Sequence, residues 1–199
     1  MYVISSITYY DIKEDKDMIT IVLVGGNGYI GREITRQWLK RDLEAQLYIT
    51  SRNDRQEIKD SRIHHIQVDV NDAYAFDKAL PEKIDYIVNL TYGSADAMKT
   101  IREAAEKHGA QAIGNFGVDK AKVSDAFQEF AGMKEHELQI LQEGNVRIAN
   151  YDITIAYGAD RSDDLQKAIQ AGAFNDFPPV HVEVAARQLI DRLTRNWLL

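Results

Sequence analysis

Residues 19–31 read Ile19-Thr20-Ile21-Val22-Leu23-Val24-Gly25-Gly26-Asn27-Gly28-Tyr29-Ile30-Gly31, and this stretch decides the fold. Its first six residues are a nearly continuous β-branched and apolar run. A central parallel strand, covered on both faces, is expected to look like this. The next seven residues place glycines at the spacing G-x-x-G-x-x-G. Beyond them Ile30, Ile34 and Trp38 recur every four residues, with Arg32, Glu33, Arg36 and Lys40 on the opposite side. That is an amphipathic helix. Strand, glycine turn and helix in this order give the spacing its meaning. Gly25 permits the tight turn, Gly28 lets the backbone approach a pyrophosphate, and Gly31 lets the helix pack closely on the strand. The helix N-terminus then offers free N–H groups and partial positive charge to phosphates. Asn27, Tyr29 and Ile30 belong to the same loop and are counted among the binding residues.

Outward from this unit the alternation continues. Further strands are expected over residues 46–50, 63–69, 85–90, 111–116 and 152–156. Asn71 or Asp72 is placed to cap a short helix ending near Leu80, where Pro81 stops it. Ser94 is placed to cap a helix reaching His108, closed by Gly109. Longer helical patterns run over 123–143, 163–171 and 182–198. Six strands alternating with helices imply an α/β fold with right-handed crossovers. The expectation is a Rossmann-type doubly wound parallel sheet with helices on both faces.

The chain has 199 residues, enough for one substantial core. No linker, repeat or low-complexity segment interrupts it, so residues 18–199 are read as a single nucleotide-binding domain. Residues 1–17 are read as an N-terminal extension, or as the product of a translation start upstream of Met18. A strand over residues 2–10 fits equally well. A formal net charge of -7 argues against a general nucleic-acid surface, which needs clustered Lys and Arg. No run of apolar residues is long enough to cross a bilayer. There are no cysteines, which excludes disulfides, thiolate metal sites and a thiol nucleophile and fits a cytoplasmic location. His64 and His65 have no third ligand at metal spacing, so no metal is expected.

About twenty residues beyond Gly31, an NAD-preferring site would carry Asp or Glu for the ribose 2′-hydroxyl. Here the chain reads Ile49-Thr50-Ser51-Arg52-Asn53. The acid is absent and an arginine is present. A guanidinium suits a 2′-phosphate through paired, charge-assisted hydrogen bonds. Ser51 and Arg52 therefore point to NADP, with NAD still admissible. Arg52 stacked on adenine or facing solvent, and Asp54 turned into the site, are the competing arrangements.

At this point the sequence resembles the short-chain dehydrogenase/reductase superfamily, in its atypical, NAD-dependent epimerase-like branch. The resemblance spans residue 18 to the C-terminus. Val68-Asp69-Val70 is similar to the family's Asp-hydrophobic pair after the third strand, which implies that Asp69 meets the adenine amino group with Val70 beside it. Asn89-Leu90-Thr91-Tyr92-Gly93 lies where the family has its fourth-strand loop, which implies that Leu90, Thr91 and Tyr92 border the cofactor. Pro179-Val180-His181-Val182-Glu183-Val184-Ala185 resembles a segment that supports helix packing in epimerase-like members, which makes His181 structural. The resemblance implies a short C-terminal substrate lobe, since about forty residues follow the expected sixth strand.

The departure is at the catalytic motif. The family uses Tyr-x-x-x-Lys on the helix after the fourth crossover; this chain reads Phe130-Ala131-Gly132-Met133-Lys134. The lysine stands where the resemblance puts it, and Lys134 is taken as the catalytic position. The phenol has lost its oxygen. A shifted register, with Glu129 and Met133 at the two positions, would remove both groups. The loop Asn115-Phe116-Gly117-Val118 lacks the family's serine. Tyr92, Tyr157 and His136 are the replacement proton donors that location offers. Two expectations follow: an NADP-preferring oxidoreductase for a small organic substrate, or a non-catalytic NADP-sensing regulator. A homodimer is compatible with either.

Overall fold

A computed structural model of the chain describes residues 18–158, 164–172 and 179–195. The expectations for residues 1–17, 159–163 and 196–198 lie outside these. β1 (Thr20–Val24) leads through the glycine turn into α1 (Tyr29–Arg41). β2 (Gln46–Ser51) and β3 (Ile63–Gln67) follow, joined by an irregular loop instead of a helix. Next come α2 (Ala73–Ala79), β4 (Tyr86–Asn89), α3 (Ala95–Lys107) and β5 (Ala112–Gly117). Two 3₁₀ turns lead into α4 (Gln128–Gln142), which is followed by β6 (Arg147–Asp152). The chain continues through β7 (Ala156–Tyr157), α5 (Asp164–Gln170), β8 (Val180–His181) and α6 (Val182–Thr194).

Six strands make one sheet in the order β3-β2-β1-β4-β5-β6, all parallel. This is the doubly wound Rossmann topology. The strand order reverses between β1 and β4, and a crevice opens there at the C-terminal strand ends. Alternation along each strand fills two cores. Ile21, Leu23 and Val88 face one side, under α1 and α6. Val22, Val24 and Ile87 face the other, under α2, α3 and α4. Each of these strand residues is fully or almost fully buried. At about 25 cal/mol per Å² of apolar surface, the two cores are the main source of stability.

The caps follow the sequence. The Asp72 side chain accepts from the Ala75 N–H, and Ser94 accepts from the Ala97 N–H. The expected sixth strand is displaced. Pairing with β5 is made by Arg147–Asp152, five residues before the stretch 152–156 that looked more apolar. As an edge strand, β6 carries Arg147, Asn150 and Asp152, which mask its alternation. Most of the expected stretch instead becomes a loop leading to β7, which pairs with β8 in a separate small sheet. The helix expected from residue 123 begins at Gln128, because the 3₁₀ turns occupy its first residues.

Candidate functional site

Two cavities of about 500 Å³ each meet at the C-terminal ends of β1 and β4. Gly25, Gly28, Leu90, Thr91 and Tyr92 line both. Asn27, Ser51, Arg52, Asp69 and Val70 line the first. Tyr29, Ile30, Gly31, Phe130 and Lys134 line the second. The residues expected to bind a cofactor, with Lys134, thus converge on one bipartite crevice.

The glycine turn joins the two cavities, and its three spaced glycines differ in what they do. Gly25 has φ +77°, a left-handed conformation that a side chain would strain. A Cβ on Gly31 would lie 2.3 Å from the Gly26 carbonyl oxygen, so α1 sits against the turn. A Cβ on Gly28 would meet only the Gly25 oxygen, at an ordinary 3.5 Å. Neither packing nor backbone demands glycine at 28, where φ is -69°. The space beside it opens into both cavities. Gly28 stands at the N-cap of α1 and supplies no side-chain cap, while its own N–H donates to the Gly25 carbonyl at 3.1 Å.

The first cavity is polar and bears charge. Asn71 donates through its backbone and side-chain N–H groups to the Asp69 carboxylate, at 2.9 Å each. These bonds, with the nearby Arg52 charge, hold Asp69 below the usual carboxylate range, so it remains an acceptor near neutrality. Arg52 is exposed and lines the same cavity. Arg55 lines it too, a position that no local pattern singles out. Its carbonyl accepts from the Asn27 side chain at 2.6 Å, which ties the β2–β3 loop to the glycine turn. Its guanidinium pairs with Glu57. Asp54 does not line the cavity.

The second cavity is mostly apolar, with Phe116, Val118, Ile153 and Ile155 in its wall. Phe130 and Lys134 line it; Glu129 and Met133 do not, so α4 presents the register with the lysine inward. Lys134 is buried, and its Nζ donates to Glu137 at 2.9 Å. The other Glu137 oxygen accepts from the Gly93 N–H, fastening α4 to the loop after β4. Glu137 is only 2% exposed, and its role was not foreseen. The signal available was a Lys–Glu pair three apart on the helix face that carries Ala131, Ile140 and Leu141.

The three proton-donor candidates separate. Tyr92 lines the cavity mouth, where its ring meets Phe130 edge-to-face. His136 is exposed on α4, and Tyr157 packs edge-on against His181 instead of lining the cavity. His181 caps α6 by accepting from the Glu183 N–H. Of the loop after β5, Phe116, Gly117 and Val118 line the cavity, whereas Asn115 is fully buried behind it. Asn115 belongs to a row across three strands. Asn89 donates to Asn115 at 3.0 Å, Asn115 to Asn150 at 2.9 Å, and Asn150 to Asp152 at 2.7 Å. Thr91 N–H and O–H both donate to the Asn89 side-chain Oδ1, so the row ends at the loop shared by both cavities. No group of three potential metal ligands occurs among the described residues.

Residues 25–154 match the model of the NAD(P)H-binding family. The chain belongs to that family. No curated protein matches it. Its fold is shared with the enzyme WbmG of Bordetella bronchiseptica in complex with NAD, at 15% identity and TM-score 0.64. That match covers 81% of this chain but 62% of WbmG, so the chain spans less than two thirds of that enzyme. A wide-type short-chain dehydrogenase/reductase from Veillonella parvula, in complex with NADP, aligns at 14% identity and TM-score 0.66 over 87% of this chain and 86% of its own. The UDP-N-acetylglucosamine 4-epimerase of Bacillus cereus aligns at 16% and 0.66, covering 89% and 74%. At such identities the likeness is one of fold, and it is the fold that the sequence resemblance implied. No helix among the described residues is long and apolar enough to cross a membrane.

Proposed function

We propose that this NAD(P)H-binding chain holds NADP across the two cavities and acts as an oxidoreductase on a small organic substrate. The observation that carries the reading is Gly28, a glycine that the protein's own packing does not require, at an uncapped helix N-terminus between the cavities. A side chain there would fill the room a pyrophosphate needs. In this reading the N-terminal end of α1, at residues 29–31, faces the phosphates, Ser51 and Arg52 hold the ribose 2′-phosphate, and Asp69 accepts from the adenine amino group. Leu90, Thr91 and Tyr92 border the middle of the cofactor, and Lys134 faces the nicotinamide ribose. When bound, the nicotinamide supplies the hydride chemistry. The chain supplies orientation, an apolar surround and a fixed ammonium. Tyr92 is the candidate phenol that borders the substrate side.

Phe130 favours a second reading, a dinucleotide-responsive regulator without turnover. At the position of the family's phenol it supplies no proton, a contribution worth about 10²–10⁴ in rate.

Titration calorimetry with NADPH and NADH tests the common core of both readings. The wild-type chain is expected to bind NADPH more tightly, and Gly28→Val is expected to lose about 100-fold or more while melting within a few degrees of wild type, since its Cβ meets no close contact. Unchanged affinity in a folded Gly28→Val variant refutes the assignment.

A further inference from the structure

The wall of the second cavity carries information about what lies beside the nicotinamide. Tyr92 and Phe130 stand at its mouth with ring centroids 5.9 Å apart and planes at 81°. They are 69% and 38% exposed, among the few exposed large hydrophobic side chains of the described residues. Edge-to-face pairs of this kind present a flat face and a positive ring edge to a third ring. Behind them the wall continues through Phe116, Val118 and Ile153. Among the described residues lining this cavity Lys134 is the only cation, and its ammonium is already bound to the buried Glu137 carboxylate. The arginines of the crevice, Arg52 and Arg55, line the other cavity.

We infer that the second cavity takes a neutral, planar aromatic molecule, stacked on the Tyr92–Phe130 pair, and not a sugar nucleotide or another anion. The position of the nicotinamide rests on the reading above; the ligand chemistry rests on the wall itself. With the N-terminus of α1 given to the pyrophosphate, a second anion entering this cavity would lose its water and gain no uncommitted side-chain counter-charge. A flat, uncharged ring loses little hydration and gains contact with two exposed rings. The cavity's volume of about 500 Å³ lies at the small end for ligand pockets, and the nicotinamide would share it. Room remains for a molecule of one or two rings.

The test compares probes of matched size and different shape. Dissociation constants are measured by saturation-transfer NMR for 2-acetylnaphthalene, acetophenone, cyclohexyl methyl ketone and UDP-glucose. Each is titrated with saturating NADPH and without it, after NADPH affinity has been measured by calorimetry. Acetophenone is expected to bind about threefold to tenfold more tightly than its puckered cyclohexyl counterpart, and 2-acetylnaphthalene more tightly still. Phe130→Leu is expected to remove that preference while leaving the cyclohexyl ketone unchanged; leucine favours helix, so α4 is retained. Equal binding of flat and puckered rings, tighter binding of UDP-glucose with the dinucleotide site saturated by NADPH, or an aromatic preference that survives in Phe130→Leu overturns the inference. Failure of both NADPH and NADH to bind would overturn the dinucleotide reading instead, and the ketone titrations without cofactor would still decide the chemistry of the wall.

Discussion

Where the first cavity is walled by Arg52, Arg55, Asp69 and the glycine turn, the second is walled by Phe116, Val118, Phe130 and a lysine already bound to Glu137. The first half is made of loop residues at strand ends, with charges open to solvent. The second draws its decisive residues from α4, which must also pack on the sheet. The difference teaches that the two halves of this crevice are encoded separately. Residue 130 on α4 can change without touching the glycine turn. It also gives Lys134 a reason to exist apart from chemistry. Through Glu137 and the Gly93 N–H, the lysine belongs to a buried link between α4 and the loop after β4. A lysine at the right spacing is therefore weak evidence of catalysis by itself.

The sharpest way to break this comparison is at the buried pair. Glu137→Ala leaves an ammonium in the wall without its carboxylate, a change that costs about 3–5 kcal/mol when a pair is buried. Urea unfolding is expected to show a loss of that order. A loss below about 1 kcal/mol would mean that water from the cavity serves Lys134 equally well, and the structural role would fall.

Next in size is the chemistry of α4. Phe130→Tyr places a phenol, a proton donor, one helical turn before Lys134. It is expected to raise NADPH-dependent reduction of small ketones by about 10²-fold, and Lys134→Ala in that background is expected to abolish the gain. If the second half tolerates the phenol with no change in rate, the cavity is not a catalytic site awaiting a proton donor.

The smallest effect belongs to the first half. Arg52→Ala is expected to weaken NADPH about tenfold or more while leaving NADH within a factor of two, because a hydrogen bond to a charged group is worth about 1.5–3 kcal/mol. Arg52 is exposed, so stability should stay within about 0.5 kcal/mol. Equal losses for both cofactors would make Arg52 an adenine-stacking residue.

The first half was largely legible in the sequence because its signals are local. A glycine spacing, an arginine at a strand end and an Asp after the third strand each sit within a few residues of the element that positions them. The β1–α1 unit was legible for the same reason. Other features lie across the chain. Glu137 matters because it reaches Gly93, 44 residues away. Arg55 enters the first cavity because the irregular β2–β3 loop folds back onto Asn27. The sixth strand was misplaced because an edge strand needs apolar residues less than a loop that lines a cavity does: Ile153 and Ile155 face the second cavity, while Asn150 and Asp152 belong to the strand. Strand register then aligns Asn89, Asn115 and Asn150 side by side, and no local pattern announces such an alignment.

That asparagine row has a direction. The Thr91 N–H at one end can only give a proton, and the Asp152 carboxylate at the other normally only receives one. Every amide between them is thereby oriented, oxygen toward Thr91 and nitrogen toward Asp152, like dominoes that must all fall the same way. The central Asn115, sealed from solvent, cannot turn over without setting oxygen against oxygen and nitrogen against nitrogen at its two neighbours. Deamidation there, a change of one atom with almost no change in shape, would do part of the same. It would face the Asn150 oxygen with another acceptor and interrupt the side-chain row between the far edge of the sheet and the loop that both cavities share.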